Sequence, residues 1–156
     1  LGASLLTWTS RLALPPGKDT ITLTGHHYHG LGMRFVESMD KGGVFRYSAA
    51  QPGEVVRGDE RLTPGPWCAY TAQADGRTVT AAMFDDPRNP RPALWFTMQT
   101  PFAYLSATVN TWKEPLALTA GQGAELRYGV ALWDGEPSAE QIEALCRRWL
   151  LLAAAE

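Results

Sequence analysis

The sequence predicts an all-β protein, an antiparallel β-sandwich with curved, supersandwich-like sheets and one C-terminal α-helix. Three observations support this fold class. Fifteen Gly and 11 Pro divide the 156 residues into short segments, most of these segments alternate in polarity, and one stretch alone has strong helical spacing. Short alternating segments bounded by turn residues are typical of sandwiches and barrels. Because there is neither a long linker nor an internal repeat, we expect one domain over residues 1–156.

The strands are predicted, from the N-terminus onward, by the alternation of apolar and polar side chains. In the first fourteen residues Leu6, Trp8, Leu12 and Leu14 share one parity, which predicts a half-buried strand with these side chains on its apolar face. Nine further strands are predicted at Thr20–Thr24, Leu31–Glu37, Val44–Tyr47, Glu54–Arg57, Trp67–Ala72, Arg77–Met83, Ala93–Met98, Phe102–Asn110 and Glu125–Trp133.

Turn residues and a capping motif set the limits of these elements. Asp75 and Gly76 tolerate positive φ and suit a tight hairpin between two of the strands. Ser138, with Gln141 three residues later, forms a capping box that predicts the start of a helix. Apolar side chains then recur at helical spacing at Ile142, Leu145, Cys146, Trp149 and Leu150.

Composition excludes several classes of function. Fourteen Lys and Arg against 16 Asp and Glu give a net charge of −2, which does not favour nucleic-acid binding. The longest apolar run, Trp149–Ala155, is seven residues, against roughly 18 for a membrane span, so we expect a soluble protein. The two cysteines, Cys68 and Cys146, are too few for a disulfide scaffold, and we expect buried thiols. No targeting segment is visible, and cytoplasm is only a default location.

All three histidines lie in Gly25-His26-His27-Tyr28-His29-Gly30. In an extended chain His27 and His29 point to the same face. Such a pair could bind a metal with a third ligand such as Glu37 or Asp85, or could act as a general acid or base. The alternative is that these are loop histidines with ordinary hydrogen bonds.

Two other loops carry polar and aromatic candidates. Asp85 and Asp86 precede a rigid loop with three prolines, in which turn-forming hydrogen bonds are the favoured interpretation for Asp85, Asp86 and Asn89. Trp112, beside Lys113 and Glu114, resembles a sugar-stacking position, and so do many ordinary loops.

A family resemblance rests on three stretches: Tyr28–Phe35, Phe84–Pro90, and Pro101–Ala103 with the later Leu126–Val130. Together they resemble the uncharacterised bacterial family catalogued as "methane oxygenase PmoA", with Asp86 where that family has His. Its members are longer, and the chain resembles their C-terminal half. The absence of apolar spans argues against membrane methane oxidation. The resemblance implies a fold similar to the galactose-mutarotase-like supersandwich, with a concave face that holds a carbohydrate.

The leading hypothesis is therefore a carbohydrate-binding or carbohydrate-processing domain, and whether it is an enzyme stays open. In the catalytic version His27 or His29 moves a proton on the sugar, and Asp85 or Glu37 orients the imidazole. The alternatives are a non-catalytic interaction module and a metal-dependent enzyme that uses His27 and His29; no cofactor is predicted. The predicted ligand contacts are Arg34, which would hold an oxyanion or carboxylate, with Trp67, Asp86, Asn89, Trp112 and Lys113.

Assembly is predicted from the resemblance to half of a longer fold. A sheet that lacks some of its neighbouring strands has exposed edge strands, and such strands can pair with other chains. We therefore expect a homo-oligomer or an association with a missing N-terminal half through such an edge.

Overall fold

A computed structural model describes residues 2–49 and 52–154, and it confirms the predicted all-β class with a C-terminal helix. Within those ranges the helix, α1, covers Ala139–Ala154, and a short 3-10 turn covers Glu37–Met39. The strands are β1 (Ala3–Leu12), β2 (Thr20–Leu23), β3 (Gly30–Arg34), β4 (Val44–Tyr47), β5 (Glu54–Arg57), β6 (Glu60–Pro64), β7 (Trp67–Ala74), β8 (Arg77–Asp85), β9 (Leu94–Met98), β10 (Tyr104–Thr108), β11 (Leu116–Thr119) and β12 (Ala124–Asp134).

Ten of these strands form two five-stranded antiparallel sheets. The first sheet has the order β1-β12-β8-β7-β4, and the second has the order β3-β10-β9-β6-β5. Strands β2 and β11 pair separately. The hairpin from β7 to β8 has the predicted turn, with positive φ at Asp75 (49°) and Gly76 (79°).

The two sheets pack face to face around an apolar core. The first sheet contributes Cys68, Met83, Tyr128 and Val130 to this core, and the second contributes Trp95, Leu105 and Ala107. Side chains alternate along a strand, so Phe96 and Ser106 must point away from the first sheet. We call this side of the second sheet its outer face.

Helix α1 covers the other side of the first sheet. Trp149 and Ile142 are buried there against Phe84 and Ala131. The Trp149 indole donates to Thr7 Oγ1 at 3.0 Å. The capping box is present, since Ser138 N–H donates to Gln141 Oε1 (2.8 Å) and Gln141 N–H to Ser138 Oγ (3.3 Å). The molecule thus has three layers, in the order helix, first sheet and second sheet.

The structure differs from the prediction at three strands. β6 and β11 were not predicted, because β6 begins with adjacent charges and ends in proline, and β11 has four residues. β1 was predicted, but half of its predicted apolar face is exposed: Leu6 and Trp8 are 47% and 51% exposed, Leu12 and Leu14 are half-buried, and Leu5 on the opposite side packs against the helix layer. β1 is an edge strand, so neighbours cover its faces only in part.

The predictions on thiols, membranes and assembly have different outcomes. Cys68 and Cys146 are both free and buried, as predicted. No helix within residues 2–49 and 52–154 is long and apolar enough to span a membrane. The sheet edges are β1 and β4 in the first sheet and β3 and β5 in the second, and association through them stays a prediction.

The helix layer can be tested by truncating its central anchor. We expect Trp149→Ala to lower the free energy of unfolding by about 3–5 kcal/mol, because it empties a fully buried site and leaves Thr7 without its donor. Leu151→Ala, at a position of the same helix that is 75% exposed, should change it by less than about 0.5 kcal/mol. Urea unfolding followed by circular dichroism measures both, and equal losses would contradict the packing described here.

Candidate functional site

The histidine segment is a turn that lies over the outer face of the second sheet. His29 N–H donates to His26 O at 3.0 Å, and His26 N–H donates to His29 Nδ1 at 3.1 Å. The extended conformation that would put His27 and His29 on one face is therefore wrong. His27 is buried, at 8% exposure, and His29 is exposed. Gly25 permits the close turn, since a Cβ there would lie 2.7 Å from Thr111 Oγ1.

The carboxylate beside His27 is Glu60, on β6. His27 Nε2 and Glu60 Oε2 lie 3.2 Å apart, and both side chains are at least nine-tenths buried. Their geometry is not that of a hydrogen bond, and neither atom has another hydrogen-bond partner among the described residues. The second oxygen, Glu60 Oε1, accepts from Arg57 Nη2 at 2.6 Å. A buried carboxylate is thus flanked by one cation and one imidazole.

The electrostatics of His27 favour its neutral form. Burial, followed by the charge of His26, lowers the pKa of His27, whereas Glu60 acts in the opposite direction. A neutral imidazole has one donor and one acceptor nitrogen, so it can pair with Glu60 through a single proton at Nε2. Because its pKa is lowered, His27 is neutral at neutral pH and gains a proton only on acidification.

A band of aromatic rings crosses the outer face. Successive ring centres lie 6.1 Å apart from Trp112 to His27, 5.2 Å from His27 to Phe96, 6.1 Å from Phe96 to Tyr104, and 6.5 Å from Tyr104 to Phe102. These distances are within the range of favourable ring contacts. We call these five residues the aromatic band.

Glycine makes room for one end of the band. A Cβ at Gly32 on β3 would collide with the Tyr104 hydroxyl, so the missing side chain lets the Tyr104 ring lie across β3. Gly32 and Tyr104 lie on neighbouring strands, where Tyr104 pairs with Arg34. Because Gly32 has no side chain, the Tyr104 ring can lie across β3 close to the Arg34 guanidinium.

Part of the band forms the wall of a pocket of about 460 Å³. Tyr28, Phe96, Phe102 and Tyr104 supply rings to this pocket, and its charged groups are Arg34, Arg57 and Glu60. An apolar pocket with a few convergent polar groups is the usual form of a small-molecule site. Four larger clefts, of about 740, 670, 590 and 500 Å³, have none of these four rings and no Glu60 among their described lining residues, although Arg34 also lines the cleft of 740 Å³.

Arg34 lies at the end of β3 and stacks on an aromatic ring. Its guanidinium carbon is 3.9 Å from the centre of the Phe102 ring. No described carboxylate, including those of Glu37, Asp85 and Asp86, lies within 4.0 Å of the Arg34 guanidinium. Glu37 is exposed in the 3-10 turn, and no contact joins it to a histidine.

The Trp112 loop is positioned by an arginine that sequence reasoning did not select. Arg91 donates to the main-chain oxygens of Val109 (3.4 Å) and Pro115 (2.9 Å) and also to that of Glu114. Trp112 itself is 41% exposed beside His27, as a ligand-stacking ring needs to be. Lys113 Nζ lies 5.1 Å from the Trp112 ring centre and 3.4 Å from Glu54.

Asp85 and Asn89 belong to a structural turn and not to the histidine site. Asp85 Oδ1 accepts from Asn89 Nδ2 (2.7 Å), and Asp85 Oδ2 accepts from Ala93 N–H (2.8 Å). Asn89 also donates to Arg127 O (2.9 Å) and accepts from Arg127 N–H (2.7 Å). Burial raises the pKa of Asp85, and the two donated hydrogen bonds oppose that rise. These contacts agree with the turn-forming interpretation of Asp85 and Asn89.

Asp86 and Trp67 are also held by contacts within the protein. Asp86 accepts from the Arg88 guanidinium at 2.9 and 2.6 Å, and this contact lowers the pKa of Asp86. Trp67 is 3% exposed beneath α1 and donates to Glu143 Oε2 at 2.6 Å.

The structure therefore brings only some of the predicted site residues together. His27, Trp112 and Lys113 lie along one part of the outer face, and Arg34 lies along another. The predicted residues that lie apart from them are Glu37, Trp67, Asp85, Asp86 and Asn89.

The sequence analysis missed Glu60, Arg57, Phe96, Phe102 and Tyr104 as members of the site. Glu60 was missed because β6 was not recognised. A signal was nevertheless present, since Arg57-Gly58-Asp59-Glu60 places a turn before the alternating Glu60 and Leu62. Among residues 2–49 and 52–154 no group of three His, Cys, Asp or Glu side chains has the geometry of a metal site, so His27 and His29 have no third ligand there.

The chain matches the sequence model of a family of unknown function, DUF6807, over residues 2–147, and it belongs to this family. No curated protein and no solved structure matches the chain.

The role of Glu60 can be tested by following the histidine titrations with NMR. We expect His27 to titrate below about 6.5, and Glu60→Gln to lower its midpoint further, because the carboxylate stabilises the imidazolium. The folded protein then binds fewer protons than the unfolded chain just below pH 6.5, so stability falls on acidification through that range. Glu37→Gln, at the carboxylate predicted from sequence, is the matched control. A shift in Glu37→Gln with none in Glu60→Gln would contradict the site.

The turn role of Asn89 has a separate test. Asn89→Ala should lower the free energy of unfolding by about 2–4 kcal/mol, because it removes the donor to Asp85 Oδ1 and two hydrogen bonds to the Arg127 main chain in a buried place. Gln122→Ala, at an exposed residue, should change it by less than about 0.5 kcal/mol. Chemical denaturation measures both, and a stable Asn89→Ala protein would contradict the assignment.

Proposed function

We propose that this member of the family binds a carbohydrate on the outer face of its second sheet, in the pocket beside the aromatic band. The observation that carries the proposal is the combination of four aromatic rings with the charged groups of Arg34, Arg57 and Glu60 in one concave place. Sugar rings have apolar C–H faces that pack on aromatic rings and hydroxyl groups that need charged or polar partners.

The positions of the groups support this kind of ligand. Tyr28 and Trp112, at 42% and 41% exposure, present rings to solvent beside His27, and Tyr28 also lines the pocket. Arg57, whose side chain is 81% exposed, supplies donors at the pocket wall, and Glu60 Oε1 is the carboxylate oxygen that Arg57 binds there. The pocket volume of about 460 Å³ lies within the range of about 300–1,000 Å³ that is common for small-molecule sites.

The geometry supports binding more directly than proton transfer. His27 Nε2 and Glu60 Oε2 are buried and face each other, so neither atom is presented to the pocket. Proton transfer by His27 requires the pair to open when the ligand binds. We therefore propose binding as the function, with His27 holding the Glu60 carboxylate in place.

The proposal is tested with a panel of neutral and acidic monosaccharides, measured by thermal shift and isothermal titration. We expect a sugar to raise the melting temperature of the wild-type protein. Trp112→Ala and Tyr28→Ala should each weaken binding about threefold to tenfold, the effect of losing about 0.5–1.5 kcal/mol of ring contact, without lowering the unliganded melting temperature.

Trp8→Ala is the matched control, because Trp8 is also an exposed tryptophan, at 51% against 41% for Trp112, and lies on an edge strand of the other sheet. It should leave sugar binding unchanged. If no sugar in the panel binds, the carbohydrate proposal fails, and a non-catalytic interaction module is the alternative that remains.

A further inference from the structure

The guanidinium of Arg34 lines the pocket, and its N–H groups have no hydrogen-bond partner among the described residues. It stacks on the Phe102 ring at 3.9 Å, and stacking occupies the flat face of the guanidinium. The N–H groups lie in the guanidinium plane, so they stay available to a ligand in the pocket. Because Phe102 restricts the side chain, less rotational freedom is lost when those N–H groups bind.

The charges of the pocket are not balanced within the protein. Arg57 is paired with Glu60, whereas Arg34 has no carboxylate partner among the described residues. The three charged groups of the pocket are two guanidinium groups and one carboxylate, which leaves one positive charge uncompensated. An exposed arginine alone would be an ordinary surface group, but this one lines the same pocket as the buried Glu60.

The two ends of the pocket differ in charge. Arg34 on β3 pairs with Tyr104 on β10, and Tyr104 pairs with Met98 on β9. Strand β6, which carries Glu60, lies beyond β9. Three strand spacings separate Arg34 from Glu60, which places their main chains roughly 14 Å apart. One end of the pocket therefore suits an anion, and the other end suits hydroxyl donors.

We infer that the carbohydrate is an acidic sugar of the uronic acid class, with its carboxylate bound to Arg34 and its hydroxyl groups toward Glu60 and Arg57. This inference rests on the proposed carbohydrate function. A planar carboxylate matches the in-plane N–H groups of arginine and can accept two hydrogen bonds at once. The distance between Arg34 and Glu60 keeps the ligand carboxylate away from the protein carboxylate. Arg34 is thus the residue that determines specificity for the acid.

The test compares each uronate with its neutral counterpart, galacturonate with galactose and glucuronate with glucose, by isothermal titration. The wild-type protein should bind at least one uronate about tenfold or more tightly than the matching neutral sugar. Arg34→Gln should weaken uronate binding about tenfold to a hundredfold, the range expected for a charge-assisted pair, and should leave neutral-sugar binding within about threefold. Arg34→Lys should retain part of the preference, because it keeps the charge without the planar group.

Arg148→Gln is the matched control, since Arg148 is an exposed arginine on α1. It should bind uronates as the wild-type protein does. Equal affinities for uronates and neutral sugars, or unchanged uronate binding in Arg34→Gln, would overturn the acidic-sugar inference while the carbohydrate proposal stands. Benzoate binding as tightly as the uronates would also overturn it, because a carboxylate on a flat ring would then suffice. Binding of no sugar at all would overturn both.

Discussion

The site depends on one constraint, the burial of the Glu60 carboxylate on the outer face of a sheet. A buried carboxylate is costly unless it is paired and hydrogen-bonded. Here Arg57 binds one oxygen at 2.6 Å, and the imidazole of His27 lies 3.2 Å from the other. The histidine turn therefore has a physical reason to lie over the sheet, and by lying there it places Tyr28 and His27 against Phe96. The pocket therefore forms beside the histidine turn that covers the Glu60 carboxylate.

The rest of the fold leaves this face free for a ligand. The inner faces of the two sheets pack against each other, and α1 covers the remaining face of the first sheet. The outer face of the second sheet carries the histidine turn and the Trp112 loop, and loops are the usual carriers of function on a rigid scaffold. Arg91 holds the Trp112 loop by donating to its main-chain oxygens, and Gly25 leaves room for the Thr111 side chain beside the histidine turn.

The sequence predicted the scaffold better than the site. Alternation and turn residues placed most strands, and the capping box at Ser138 located the helix, because these signals are local. The exposure of Leu6 and Trp8 on β1 was not predicted, because the position of a strand at a sheet edge depends on the tertiary fold and not on the alternation of side chains. His27, Arg34 and Trp112 were selected for their chemistry, and Glu60 was not, since the charged start of β6 resembles a loop. Asp85 and Asn89 were also predicted as candidate site residues, because turns and binding sites use the same polar side chains.

The central claim, that the outer face of the second sheet is the ligand site, is tested most directly by NMR. A 15N-labelled sample is titrated with the sugar that binds most tightly, and the six tryptophan indole signals and the main-chain amides are followed. The account predicts that the Trp112 indole shifts with the amides near His27, Arg34 and Phe102, while the buried Trp67 and Trp149 and the exposed Trp8 stay unchanged. Shifts centred on Trp8, or on the helix layer around Trp149, with an unmoved Trp112 would contradict it.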